Sequence, residues 1–294
     1  MKILVTGATG YIGRELVKEL QNKYECVVLV RDTSITDKLI DINCKIIKFN
    51  NYEEIIGIFE KENINGVVHL ASNVVVEHNL QNINSIMDSN ITYGTFLLEA
   101  CKHTNVKWFI NTGTFWQNYH DEEYNPVNLY AASKEAFETI AKYYTETSDI
   151  IFTTIKLCDT FGPNDTRPKI FNLWNKVTQT GEVLNMSPGE QIIDISYIED
   201  IINAYELLIR HLNSDNKIQF QNKTFAVKSN ERMRLKDLAK VFEEATHTNL
   251  NINWGARVYR EREVMVPWEE NDTVPGWEPK YSLKDAIQKT LGID

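Results

Sequence analysis

Tyr130 and Lys134 stand four residues apart in the run Tyr130-Ala-Ala-Ser-Lys134, at the start of a stretch with helical spacing, so both side chains share one helix face. A free tyrosine, with a pKa near ~10, is a poor acid or base at neutral pH. A neighbouring cation stabilises the phenolate and lowers that value. A tyrosine tuned in this way can exchange a proton with a hydroxyl or keto oxygen. A further hydroxyl should orient the same oxygen. Phe109-Ile-Asn-Thr112-Gly-Thr114 ends a strand ahead of the Tyr130 helix, and either Thr112 or Thr114 can supply it.

The pair alone is commonplace; Gly7-Ala-Thr-Gly10-Tyr-Ile-Gly13 gives it a context. Gly7 permits a tight turn, Gly10 lets backbone approach a pyrophosphate, and Gly13 allows close helix–sheet packing. The N-terminus of the following helix adds N–H donors and a positive dipole end. Between a strand and a helix this spacing reads as a dinucleotide site, with Gly7, Thr9, Gly10, Tyr11 and Ile12 as the expected contacts. NAD sites commonly place an acid at the end of the second strand, for the ribose hydroxyls. Here Val28-Leu-Val30 ends in Arg31, then Asp32. A guanidinium suits a 2′-phosphate, so NADP(H) is the expected cofactor. The alternative is a surface arginine, with Asp32 serving NAD. Lys134 and a nicotinamide cation would then both lower the Tyr130 pKa while hydride moves to or from nicotinamide.

These groups need a scaffold. Apolar β-branched runs at residues 2–6, 26–30, 45–49, 66–70, 108–111 and 150–157 alternate with helical patterns at 13–21, 86–103 and 129–144. Continuous rather than alternating apolar strands predict a parallel sheet covered on both faces. The repeated βα units predict a doubly wound α/β fold of the Rossmann type. After Pro163 the rhythm changes: helical patterns at 198–210 and 235–246 interleave with short strands at 224–227 and 250–253. Residues 1–163 are expected to form the dinucleotide domain, joined by about 196–227. Residues 164–195 and 228–294 are expected to form a smaller α/β substrate lobe.

Hydrophobic residues make up 43% of the 294 and charged residues 24%, which is ordinary globular composition. A net charge of −10 disfavours nucleic acid or an anionic membrane as a partner, since both want basic surfaces. A phosphorylated substrate needs only a few local cations. The first residues run straight into a strand, leaving no room for a signal peptide, and no apolar run approaches membrane-spanning length. A cytoplasmic protein is expected. Cys26, Cys44, Cys101 and Cys158 form no CxxC pair and read as reduced thiols; without a secretion signal the glycosylation patterns at Asn90 and Asn164 read as chance matches. The six histidines show no ligand-pair spacing, so no metal site is expected and His69 reads as a packed residue of the cofactor loop.

Together these residues resemble the extended short-chain dehydrogenase/reductase family over nearly the whole chain. His69-Leu70-Ala71-Ser72 is similar to the family's loop lining the cofactor, and the segment led by Asn90 to its asparagine-led helix. The resemblance implies cofactor contacts from Leu70, Ala71, Ser72, Asn90, Tyr130 and Lys134. Lys156-Leu-Cys-Asp159-Thr-Phe-Gly-Pro163 resembles the segment joining cofactor and substrate sites. The stretch from Gly189 to Asp200 resembles a nucleotide-sugar-binding stretch, and Arg260 the family's phosphate-binding arginine. Thr114, Phe115, Asp159, Arg167 and Arg260 are thus implied at the substrate. By the same alignment Thr112 is the catalytic hydroxyl, and a homodimer is expected because dimers are common in the family.

Departures from family patterns narrow the activity. Taking Thr112 as the hydroxyl, the Asp-Glu pair of 4,6-dehydratases is replaced by Gly113 and Thr114, and a decarboxylase's glutamate by Thr114. The cysteine used by the epimerase–reductases that make L-fucose nucleotides is missing as well. Many relatives carry an arginine before Asp194, where this chain has Ile193; Arg167, Lys169 or Arg260 is expected to supply that phosphate contact instead. Phe115, Trp116, Tyr119 and Tyr124 read either as core or as a cover over the sugar. Trp268 and Trp277 are expected to pack the C-terminal lobe, and residues 121–123 to form a solvated acidic loop. The loops resemble sugar-nucleotide 4-ketoreductases that make 3,6-dideoxyhexoses for bacterial surface polysaccharides. The implied activity is NADPH-dependent reduction of a nucleotide-linked 4-keto sugar. The alternatives are a 4-epimerase with tightly held NAD and a non-catalytic dinucleotide sensor.

Overall fold

Ile3, Leu4, Val5 and Thr6 are all fully buried, as suits a strand covered on both faces. In the computed structural model, which describes residues 1–269 and 272–293, Lys2–Thr6 is β1. The chain continues through α1 (Tyr11–Leu20), β2 (Glu25–Arg31), β3 (Lys45–Phe49), α2 (Glu54–Glu62), β4 (Gly66–His69) and α3 (Ile83–Met87). Then come α4 (Tyr93–His103), β5 (Trp108–Thr114), α5 (Leu129–Thr147), β6 (Ile151–Leu157) and β7 (Asp159–Phe161). The remainder comprises α6 (Ile170–Thr180), β8 (Leu184–Met186), β9 (Ile192–Ile193), β10 (Ile195–Tyr197), α7 (Ile198–Leu212) and β11 (Lys223–Val227). It ends with β12 (Met233–Arg234), α8 (Leu235–Thr246), β13 (Ile252–Trp254) and α9 (Leu283–Leu291).

Seven strands form one sheet in the order β11-β6-β5-β4-β1-β2-β3, every neighbouring pair parallel. The chain builds outward from β1 to β3, returns to β4 and builds the other way. The crevice beyond the C-terminal ends of β1 and β4 is therefore the topological switch point. Successive residues feed opposite faces: Leu4, Val27 and Val67 pack with α2, α4 and α5, while Ile3, Val28 and Val68 pack with α1 and α7. This is the doubly wound α/β fold, and β11 brings a late segment back to its edge. The smaller lobe rests on two-stranded pairs, β8 with β13 and β9 with β12, and on α6, α8 and α9.

Two glycines explain the first turn. Gly7 has φ +72°, and a Cβ there would lie 2.6 Å from the Ala71 nitrogen. A Cβ on Gly13 would lie 2.3 Å from the Gly7 carbonyl oxygen, so α1 can only approach this loop without one.

Three elements differ from their expected form. β5 runs on to Thr114, placing both threonines on the strand itself. The helix expected over 86–103 is interrupted by a π-helical turn, Asp88–Thr92, whose polar side chains have fixed partners on either side. The strand expected at 250–253 begins at Ile252, because the Leu250 N–H donates instead to the Glu243 carboxylate at 2.7 Å.

Candidate active site

Asn128 caps α5, its side-chain oxygen accepting the Ala131 N–H at 3.0 Å, which sets Tyr130 in the first turn. The Tyr130 phenol meets the hydroxyls of Ser72 and Thr114. Burial pushes its pKa up to about 12, against the pull of those hydroxyls, so the phenol is neutral at physiological pH. Lys134, one turn on, is 1% exposed, and burial draws its ammonium down to about 8 against the field of Glu138. The expected lowering of the Tyr130 pKa is thus outweighed by desolvation in the protein alone.

Thr112 faces a different partner. Its hydroxyl pairs with that of Tyr205, fully buried on α7, at 2.7 Å. Thr114, two residues nearer the end of β5, is the threonine whose hydroxyl lies beside the Tyr130 phenol. The two places after it are Phe115 and Trp116, so the carboxylates of a dehydratase or decarboxylase are missing here too. Tyr205 had no sequence signal beyond its place on the inner face of a helix.

A cavity of about 390 Å³ joins Gly7, Gly10, Tyr11 and Ile12 to Leu70, Ser72, Thr112, Thr114 and Tyr130. The residues fit a dinucleotide. Exposed Gly10 caps α1 with no side chain over the helix N-terminus, and the Lys134 ammonium is buried with no hydrogen-bond partner among the described residues, a donor suited to ribose hydroxyls. Thr9 lies half-buried on the same loop, and the Ala71 N–H donates to Thr6 Oγ1 at 3.2 Å. Asn90, expected to meet the cofactor, is fully buried: its carbonyl oxygen accepts from Ser72 (3.0 Å) and the Asn73 N–H (2.7 Å), and its amide donates to Ser133 (2.9 Å). It ties the Ser72 loop to α5. His69 is buried, kept neutral by desolvation and bonded to Thr6 Oγ1 at 2.8 Å. Arg31 ends β2 as expected, but its Nη2 already donates to Asp88 (2.7 Å), Tyr52 (3.0 Å) and Ser89 (3.2 Å). Arg167, expected at the substrate, lines this first cavity, ion-paired with buried Asp165 at 2.7 Å and 4.8 Å above the Tyr11 ring.

A second cavity of about 470 Å³ adjoins the first through Trp116, Cys158 and Asp159. Phe115 lines it, and Arg260 does so together with Arg257 and Arg262, which sequence reasoning passed over although the three arginines fall within six residues. Asp159 holds Lys169 at 2.7 Å. Of the four aromatics before α5, Phe115 is buried, Trp116 meets Tyr130 edge-on, Tyr119 lies 4.4 Å under Arg262 and Tyr124 is exposed. Trp277 is buried, and its indole donates to the Asp200 carbonyl on α7 at 2.9 Å. Trp268 instead stands edge-on to Phe115 at the site, under the Lys156 ammonium. Asp194 pairs with Arg232, whose Nε lies 2.7 Å away; the pairing spans 38 residues and leaves no local pattern. Among the described residues no three His, Cys, Asp or Glu side chains gather as metal ligands, and no helix is long and apolar enough to cross a membrane.

A family model described as "NAD dependent epimerase/dehydratase family" matches residues 3–222. The CDP-abequose synthase of Yersinia pseudotuberculosis is 29% identical over 268 residues, covering 91% of this chain and 92% of its own. The enzyme of the same name from Salmonella muenchen is 28% identical, covering 99% and 97%. Among solved structures, the UDP-glucose 4-epimerase of Thermotoga maritima with UDP-glucose superposes with a TM-score of 0.86 at 22% identity, covering 99% and 98%. At that identity the likeness is one of fold.

Proposed function

The chain belongs to the NAD dependent epimerase/dehydratase family, and we propose that it is an NADPH-dependent reductase of the C4 keto group of a nucleotide-linked 4-keto-6-deoxyhexose. A CDP-linked 3,6-dideoxyhexose, made for a surface polysaccharide, is the first candidate, since the synthases named above are CDP-linked by name. One observation carries this reading: a neutral Tyr130 phenol among the Ser72 and Thr114 hydroxyls, with no carboxylate in the two places after Thr114.

When bound, NADPH supplies hydride to the carbonyl carbon. The carbonyl electron pair moves to oxygen, and Tyr130 donates its phenolic proton there, leaving an alcohol and a phenolate that solvent reprotonates. Thr114 and Ser72 hold the oxygen in line with the phenol. Lys134 holds the ribose hydroxyls and stabilises the phenolate once the proton has left. Arg260, with Arg257 and Arg262, meets the diphosphate of the sugar nucleotide in the second cavity. Purified protein should oxidise NADPH with a CDP-linked 4-keto-6-deoxy sugar, and NMR of the product should show a new C4 proton. Constant NADPH absorbance across CDP-, dTDP-, UDP- and GDP-linked ketosugars would sink the reductase reading. Product formed from a 4-hydroxy sugar with no net NADPH loss would replace it with a 4-epimerase.

A further inference from the structure

The π-helical turn Asp88–Thr92 carries three consecutive polar side chains with unlike tasks. Asn90 turns inward to the Ser72 loop and the catalytic helix. Asp88 and Ser89 turn to Arg31, at the end of β2. Tyr52 closes this second cluster, accepting from Arg31 and donating to Asp88 Oδ1 at 2.8 Å. A π-turn adds a residue to a helix without breaking it, a device that often marks a functional position. Here it sets a carboxylate and an amide back to back.

All three hydrogen bonds of Arg31 use Nη2. The Asp88 carboxylate is therefore an internal anion on the guanidinium that a 2′-phosphate would need. Both side chains are part-exposed, Arg31 at 38% and Asp88 at 44%, so the ion pair sits at the edge of water and is weak enough to exchange for a dianion. Arg31 also lies 5.9 Å over the Tyr93 ring, a contact that stays when the carboxylate leaves. Tyr52 and Ser89 are neutral and raise no barrier to a phosphate. Asp88 does, by holding the guanidinium and by repelling the incoming charge.

We propose that Asp88 sets cofactor selectivity: it competes with the adenosine 2′-phosphate for Arg31 and so holds down the preference for NADP(H) over NAD(H). Binding of NAD(H) asks for no such exchange. The inference rests on the reading that Arg31 receives the 2′-phosphate.

Calorimetric titration with 2′,5′-ADP and 5′-ADP tests it without turnover, on the wild-type protein, D88N, R31A and the double variant. D88N should bind 2′,5′-ADP about tenfold more tightly than the wild type. Its 5′-ADP affinity should stay within about twofold, which also reports an intact fold, and the gain should vanish in R31A/D88N. Equal changes for both ligands, no change, or weaker 2′,5′-ADP binding in D88N overturns the proposal. If R31A binds 2′,5′-ADP as well as the wild type does, the reading beneath it falls too. Loss of binding in R31A with no gain in D88N removes only the role of Asp88.

Discussion

β1 pairs along five residues with β2 and along four with β4, and Ile3, Val5 and Val28 vanish from solvent between layers of helix. In the smaller lobe the pairs shrink: β9 meets β12 over two residues and β8 meets β13 over three. Such short ladders do not hold by themselves. Side chains stitch the lobe across long stretches of chain, with Arg232 on Asp194, Lys236 on Glu190, and Glu231 accepting the Leu283 N–H. The sheet half presents Tyr130, Lys134 and Thr114 from a rigid frame, whereas the lobe presents Arg257, Arg260 and Arg262 from irregular backbone. On the proposed function, chemistry is fixed by the half with few ways to move, and substrate choice is left to the half with many.

Substitutions on the two sides should therefore leave different kinetic signatures. Tyr130→Phe should cut kcat by about 10³-fold or more while dinucleotide binding persists, as calorimetry and NADPH oxidation would show. Retained turnover would mean that the phenol is not the acid. Thr114→Ala should lower kcat by about 10²-fold and Thr112→Ala by much less, because Thr112 faces Tyr205. The reverse order would restore Thr112 to the chemistry. Arg260→Ala should raise KM about tenfold with kcat nearly unchanged, the mark of uniform binding lost from the lobe. A loss confined to kcat would erase the division between the halves. The smallest effect concerns pH. Lys134 is protonated below its pKa of about 8, so kcat/KM for reduction should be level below that point and decline as pH rises through it. A profile still level well above pH 8 would show that the ammonium is dispensable.

The same contrast governs what could be read in advance. The central strands β1, β2 and β4 were legible because a strand buried on both faces is nearly continuously apolar. The glycine loop was legible because Gly7 and Gly13 have no room for a Cβ. Tyr130 and Lys134 share a helix face by spacing alone. In the lobe, the Arg232–Asp194 pair and the Trp268–Phe115 contact join distant segments, and neither had a local signature.

By itself, then, the sequence determined the doubly wound fold, the dinucleotide loop and the Tyr-Lys pair, since each follows from short-range spacing and the burial it demands. Only the tertiary structure decided which threonine stands at the phenol, because Thr112 and Thr114 share a strand face and differ only in what packs over them. It likewise decided that Asn90 is a brace and that Arg31 already faces an acid, 57 residues along the chain. Such pairings depend on where helices settle against the sheet, and no local pattern of residue types encodes that.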